Sequence, residues 1–126
     1  MKRLLVDTNV VIWLLFGERH RLTSRAVAAL EDEHNDVAVS AATVWEIAIK
    51  RSRGRLTLPD DWMAALTGLP FDPVPISALH AAAVERLATH HHGAFDRMLV
   101  AQAVVERAAL VSADRDLARY GVEIVW

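Results

Sequence analysis

Residues 4–16 constrain the fold more than any other stretch. Leu4-Leu5-Val6 runs straight into the carboxylate, hydroxyl and amide of Asp7-Thr8-Asn9. A second apolar run, Val10-Val11-Ile12-Trp13-Leu14-Leu15-Phe16, follows at once. The first run reads as a buried strand ending at Asp7, and the second as a helix capped by Thr8 or Asn9. In an open α/β sheet, ligands bind at the carboxyl ends of the strands, which is where Asp7 would stand. Read on this stretch alone, Asp7 is turn or capping chemistry.

The same alternation continues along the chain. Gly17 closes the first helix. Thr23 or Ser24 opens a second through about Glu33, with Val27 and Leu30 at helical spacing. Asp36 leads into Val37-Ala38-Val39, a short strand ending at Ser40. A helix from about Ala41 to Arg53 stops at Gly54; Val44, Ile47 and Ala48 mark its apolar face, widened by Trp45 and Ile49. Leu56 to Pro59 is an extended exit, and Asp60 or Asp61 caps a short helix through about Leu66. Phe71 to Val74 lies among Pro70, Pro73 and Pro75, so it reads as an edge strand. Ser77 caps an alanine-rich helix through about Thr89.

His90-His91-His92 reads as a solvated loop with one histidine folded inward, because adjacent histidines do not converge well on one ion. Asp96 opens a helix from Phe95 to Arg107. Ala109 to Ser112 is a strand that runs into Ala113-Asp114-Arg115-Asp116 and a short helix to about Tyr120. Gly121 stops that helix, and Val122 to Val125 is the last strand. Strands alternating with helices imply parallel crossovers and a sheet covered on both faces.

Length and composition then bound the class. With 126 residues and a 53% apolar share, one domain over residues 1–126 with a real core is expected. The absence of cysteine excludes disulfides, thiolate nucleophiles and Cys-ligated zinc. The start, Met1-Lys2-Arg3 before apolar residues, imitates a signal peptide. Asp7, Thr8 and Asn9 interrupt it, however, and no small-residue cleavage site follows Phe16. No apolar run approaches the roughly 18 residues that span a membrane, so a cytoplasmic protein without a membrane partner is expected. The net charge of −2 lacks the overall basic signature of a nucleic-acid binder. Lys50, Arg51, Arg53 and Arg55 nevertheless crowd together at a helix C-terminus, which the helix dipole favours.

Four acids gain meaning from their joint placement. Asp7 and Asp114 follow strand ends, and Glu46 and Asp96 lie early in helices. Each has a local explanation. Thr43-Val44-Trp45-Glu46 matches a capping box, and Asp96 complements a helix dipole. With right-handed crossovers, however, strand C-termini and the following helix N-termini share one edge of the sheet. Asp7, Glu46 and Asp114 should therefore meet there, within reach of Asp96. Like charges at close range call for neutralisation, and oxygen ligands suit magnesium or manganese better than zinc. A bound water on such an ion is a nucleophile for in-line displacement at phosphorus.

These motifs together resemble the PIN domain, specifically the VapC-like ribonuclease toxins of bacterial toxin–antitoxin pairs. Leu5-Val6-Asp7-Thr8-Asn9 resembles the first acidic motif of that family. Ser40 to Lys50 resembles the second, with Glu46; Phe95 to Ala103 the third, with Asp96; and Leu110 to Asp114 the fourth, with Asp114. One departure is Gly93-Ala94, where relatives often carry Asp-Pro; it bears on the rigidity of the loop entering that helix. Asp116 is a second acid beside the fourth motif and an alternative to Asp114.

The resemblance implies a three-layer α/β fold with a central parallel sheet flanked by helices, and a magnesium-dependent endoribonuclease, with manganese as a substitute. Asp7 and Asp96 would be the main metal ligands, completed by Glu46 and Asp114. Thr8 and Ser112 would hold carboxylates or waters by hydrogen bonds. Lys50, Arg51, Arg53 and Arg55 are candidate RNA-phosphate contacts, set against a plain solvated helix end. The implied partners are an RNA substrate, an inhibitory antitoxin and a second copy of the chain in a homodimer or toxin–antitoxin hetero-oligomer. Trp13, Phe16 and Trp45 are candidates to line the antitoxin groove, set against simple core packing.

Two other classes fit the same residues less fully. A catalytically silent antitoxin- or RNA-binding module would retain the fold without cleavage. A haloacid-dehalogenase-like phosphohydrolase would use Asp7 as nucleophile, but it usually wants a second aspartate where this chain has Asn9.

Overall fold

The computed structural model describes residues 1–126. Five strands, β1 (Arg3–Val6), β2 (Asp36–Ser40), β3 (Asp72–Val74), β4 (Ala109–Val111) and β5 (Ile124–Val125), form one sheet in the order β3-β2-β1-β4-β5. All four pairings are parallel. Parallel neighbours need crossovers, and helices supply them. α1 (Thr8–Leu15) and α2 (Ser24–Glu31) link β1 to β2. α3 (Ala41–Ser52) and α4 (Trp62–Thr67) link β2 to β3, and α5 (Ala78–Ala83) and α6 (Ala94–Glu106) link β3 to β4. No helix is long and apolar enough to cross a membrane.

The strands alternate in the direction of their side chains, and both directions are apolar. Leu4, Val6, Val37, Val39 and Val111 pack with Val10, Val11, Ala26 and Ile47 from α1, α2 and α3. Leu5, Ala38 and Leu110 pack on the opposite face with Leu99, Val100 and Ala103 of α6. The sheet is therefore the middle of three layers. Leu4, Ile47, Leu99 and Leu110 are almost wholly buried, each contributing about 1.5–3 kcal/mol relative to an exposed position.

Topology places the site. The chain moves outward from β1 to β2 and β3, then returns to the other side of β1 as β4. The order reverses between β1 and β4, and such a switch point opens a crevice at the carboxyl ends of the strands. Val6 is level with Val39 and Val111, so Asp7, Ser40 and Ser112 stand side by side at that edge. The Asp7 N–H donates to the Val111 carbonyl at 3.0 Å.

Several local expectations change. Asp7 itself caps α1, in place of Thr8 or Asn9: its backbone is extended and its Oδ1 accepts from the Val10 N–H at 2.9 Å. The capping box at Thr43 and Glu46 does not form, because α3 begins three residues earlier, with Ser40 as its cap. α5 was expected to reach about Thr89 but ends at Ala83, followed by a single 3-10 turn. The Arg97 guanidinium takes up the carbonyls of Val84 and Ala88 at that turn. Ser77 does cap α5, through a reciprocal pair of hydrogen bonds with His80. β3 lies at the sheet edge, as its proline requires.

Candidate active site

Asp7 lies at the bottom of the switch-point crevice, only 9% exposed. Burial pushes its carboxyl up to about 6, and the negative charges of Asp96 and Glu46 add to the rise. Hydrogen bonding from the Ser112 side chain and the Val10 N–H acts in the opposite direction. One carboxylate thus serves two purposes. It caps the helix, as the local sequence suggested, and it carries a poorly solvated charge into the crevice.

Three further acids surround it. Glu46 is in the second turn of α3; its side chain is largely buried and lies 2.8 Å from the Lys50 Nζ, one turn further on. Asp96 is in the first turn of α6 and is half-buried. Its carboxyl is raised by burial first and then by Glu46 and Asp114, while His92 and Lys50 oppose the rise. Asp114 follows β4 and caps the 3-10 turn Arg115–Tyr120, its Oδ1 accepting from the Asp116 N–H at 3.1 Å. Asp96 and Glu46 act on Asp7, and Glu46 and Asp114 act on Asp96, so the four acids are linked through Asp96 and Glu46. Asp114 raises the carboxyl of Asp96, and Asp116 stands two residues further on, in the same 3-10 turn.

The supporting residues divide. Ser112 is fully buried; its Oγ accepts from the Asp114 N–H at 3.0 Å, which leaves its proton for Asp7. The Thr8 hydroxyl instead faces the Thr43 hydroxyl at 3.2 Å and ties α1 to α3. Of the basic cluster, Lys50 alone acts on the acids. Arg51 turns away to the Leu58 carbonyl and the Asp60 carboxylate, each at 3.0 Å, and covers the Trp62 ring. Arg53 and Arg55 are exposed beyond the end of α3.

Two neighbours that the sequence did not assign to the site join it; one is the inward-folded histidine of the triplet. His92, with its side chain 5% exposed, places Nε2 at 3.1 Å from Asp114 Oδ2 and Nδ1 at 3.1 Å from the Tyr120 hydroxyl. Its place in the triplet, four residues before Asp96, was the available signal. The second neighbour is Gln102, fully buried on α6; it accepts a hydrogen bond from Ser40 and so links α6 to the start of α3. Arg97 addresses the missing Asp-Pro: Gly93 offers α6 no side-chain cap, yet the guanidinium anchors this entrance to the preceding turn.

The donor set fits a hard divalent cation. All four groups are carboxylates, two have their ionisation resisted by burial and by neighbouring carboxylates, and a cation would relieve both.

An apolar groove of about 570 Å³ runs between α3, α4 and β3, lined by Val44, Trp45, Ala48, Met63, Phe71 and Val74 among others. Trp45 is 53% exposed and meets Phe95 edge-on at 4.8 Å. Trp13 packs against Trp126 at 6.0 Å, and neither it nor Phe16 lines this groove.

The PIN domain family model matches residues 4–123. Among solved structures, the chain is similar to one of VapBC2 from Rickettsia felis bound to a promoter DNA fragment, with a TM-score of 0.74 at 14% identity, covering 97% of this chain and 96% of that one. It is similar to VapBC-1 from nontypeable Haemophilus influenzae at a TM-score of 0.73, 14% identity and the same coverage. A toxin–antitoxin complex from Klebsiella pneumoniae gives 0.66 at 22% identity, covering 97% and 95%. No curated protein matches the sequence.

Proposed function

The chain belongs to the PIN domain family, and from that premise we propose that it is a magnesium-dependent endoribonuclease and the toxin of a toxin–antitoxin pair. PIN domains are typically nucleases and generally use a divalent metal. The observation that carries the reading is the convergence of Asp7, Glu46, Asp96 and Asp114 on one crevice at the switch point of a parallel sheet.

Asp7 and Asp96 would hold the ion, with Glu46 and Asp114 completing the centre directly or through water; manganese suits the same donors. The ion, when bound, neutralises phosphate charge and lowers the pKa of water for attack at phosphorus. The chain's own residues do the rest. Ser112 and the Val10 N–H fix the Asp7 carboxylate. Lys50 balances Glu46, and His92 braces Asp114. Arg53 and Arg55 present free positive charge to an RNA backbone leaving the crevice.

The antitoxin is proposed to cover the apolar groove at Trp45, Met63 and Phe71, whose Trp45 immediately precedes Glu46 in α3 and packs against Phe95, the neighbour of Asp96. Neighbouring folds come from toxin–antitoxin complexes, which supports this assignment. A homodimer or hetero-oligomer belongs to the same reading.

The test is RNA cleavage by purified chain with magnesium, manganese or chelator, using Asp7→Asn and Asp96→Asn as size-preserving controls. Cleavage that needs the metal and is lost in both variants is expected. Cleavage surviving both substitutions would reject the site, and a folded, metal-binding chain that cuts none of a varied RNA panel would favour a silent module.

A further inference from the structure

His91, His92 and Asp116 form a second cluster beside the carboxylate crevice. Although adjacent in sequence, the two imidazoles stack with centroids 4.6 Å apart and planes 22° from parallel. That stacking turns both Nε2 atoms toward one carboxylate oxygen, Asp116 Oδ2, at 3.9 Å from His91 and 3.7 Å from His92. The three donor atoms all lie within 4.8 Å of one another. Tetrahedral bonds of about 2.0–2.2 Å set their ligand atoms about 3.3–3.6 Å apart, so both histidine–carboxylate separations need to close by only a few tenths of an ångström.

Two independent features point to a ligand there. Asp116 Oδ2 is enclosed by protein yet accepts no hydrogen bond, an arrangement native structures avoid unless something else engages the atom. The buried His92 ring is also held from behind, with Nδ1 3.1 Å from the Tyr120 hydroxyl. Metal-binding histidines carry such a partner on the nitrogen that does not coordinate.

We propose that His91, His92 and Asp116 bind a divalent transition-metal ion of the zinc class, at a site distinct from the all-carboxylate centre. Two imidazoles and one carboxylate select a borderline metal, whereas magnesium prefers oxygen alone. Three protein ligands leave a fourth position, and Asp114 Oδ2, 3.1 Å from His92 Nε2, stands beside it. Coordination through Nε2 ends the hydrogen bond between His92 and Asp114, so this ion changes the partner of one acid of the neighbouring centre. The binding itself does not depend on the nuclease reading; only this coupling does.

The test is a zinc titration of the full chain in excess magnesium, against a competing chromophoric chelator, with the histidine ring signals followed by NMR. One bound equivalent that moves the His91 and His92 signals is expected. His91→Ala, at an exposed ring, and Asp116→Asn should each weaken zinc by at least about tenfold, and Asp7→Asn should leave its affinity within about twofold. No zinc binding, wild-type affinity in either of the first two variants, or loss of binding in Asp7→Asn would overturn the assignment. The last outcome would place zinc among the carboxylates without touching the cleavage test.

Discussion

Lys50 Nζ lies 2.8 Å from a Glu46 carboxylate oxygen, one helical turn away on α3, and its charge also lowers the carboxyl of Asp96. The ion pair is a built-in partial neutraliser of an acidic site. Lys50→Met should lower the melting temperature in chelator, because four acids then repel without it. It should also enlarge the rise in melting temperature that magnesium produces, because the ion meets a more negative site. Thermal melts of both proteins with and without magnesium check this; an unchanged magnesium effect would show that Lys50 does not act on the centre.

Asp7 carries a pH dependence whose sign follows from its burial. Its carboxyl rises from 3.8 to about 6 on folding, so the folded chain holds the proton more tightly than the unfolded one. The associated stability is complete below about pH 4 and falls as pH rises through about 6, by about 3 kcal/mol at most. Asp7→Asn removes the ionisation and keeps a good cap. In chelator it should be more stable than wild type by about 1–3 kcal/mol at pH 8 and nearly equal to it at pH 4. Denaturant titrations at the two pH values measure the difference. Magnesium binding to wild type should weaken correspondingly below about pH 6, as protons compete for the same oxygens.

Ser40 joins the sheet edge to the helix that carries Glu46. Its buried hydroxyl oxygen accepts from the Ala42 N–H at 2.9 Å, and its proton goes to Gln102 Oε1. Ser40→Ala deletes a helix cap and strands a buried amide oxygen, so it should cost about 2–3 kcal/mol. Ser40→Thr, which keeps the hydroxyl, should recover part of that if the buried site admits the extra methyl. Urea midpoints at constant m-value are the readout.

The strand–helix alternation was legible because Leu4-Leu5-Val6, Val37-Ala38-Val39 and Ala109-Leu110-Val111 are short apolar runs stopped by polar residues. A buried parallel strand requires such a pattern. The acids were legible through topology: once the strands are parallel, Asp7 and Asp114 must emerge on the edge where α3 and α6 begin. Contacts set by side-chain rotamers were not. Thr8 could have faced a carboxylate as readily as Thr43, and nothing in a His-His-His triplet fixes the stacking that brings His91 and His92 together. The end of α5 was hidden for a related reason. It depends on Arg97, distant in sequence, taking the carbonyls of Val84 and Ala88.

The basic cluster at the end of α3 separates into parts with different measurable roles. Arg51 is engaged with Leu58, Asp60 and Trp62, so Arg51→Ala should loosen the segment after α3 and lower stability. Arg53 and Arg55 are exposed and carry no such contacts, so replacing both with alanine should leave the melting temperature nearly unchanged. If they meet RNA phosphates, the double variant should bind single-stranded RNA more weakly. Its plot of log affinity against log salt should then be shallower by about 1.4, at about 0.7 for each lost phosphate contact. Binding measured across a salt series on the non-cleaving Asp7→Asn background gives that slope directly. An unchanged slope would assign both arginines to plain solvation of a helix end, where the α3 dipole already favours positive charge.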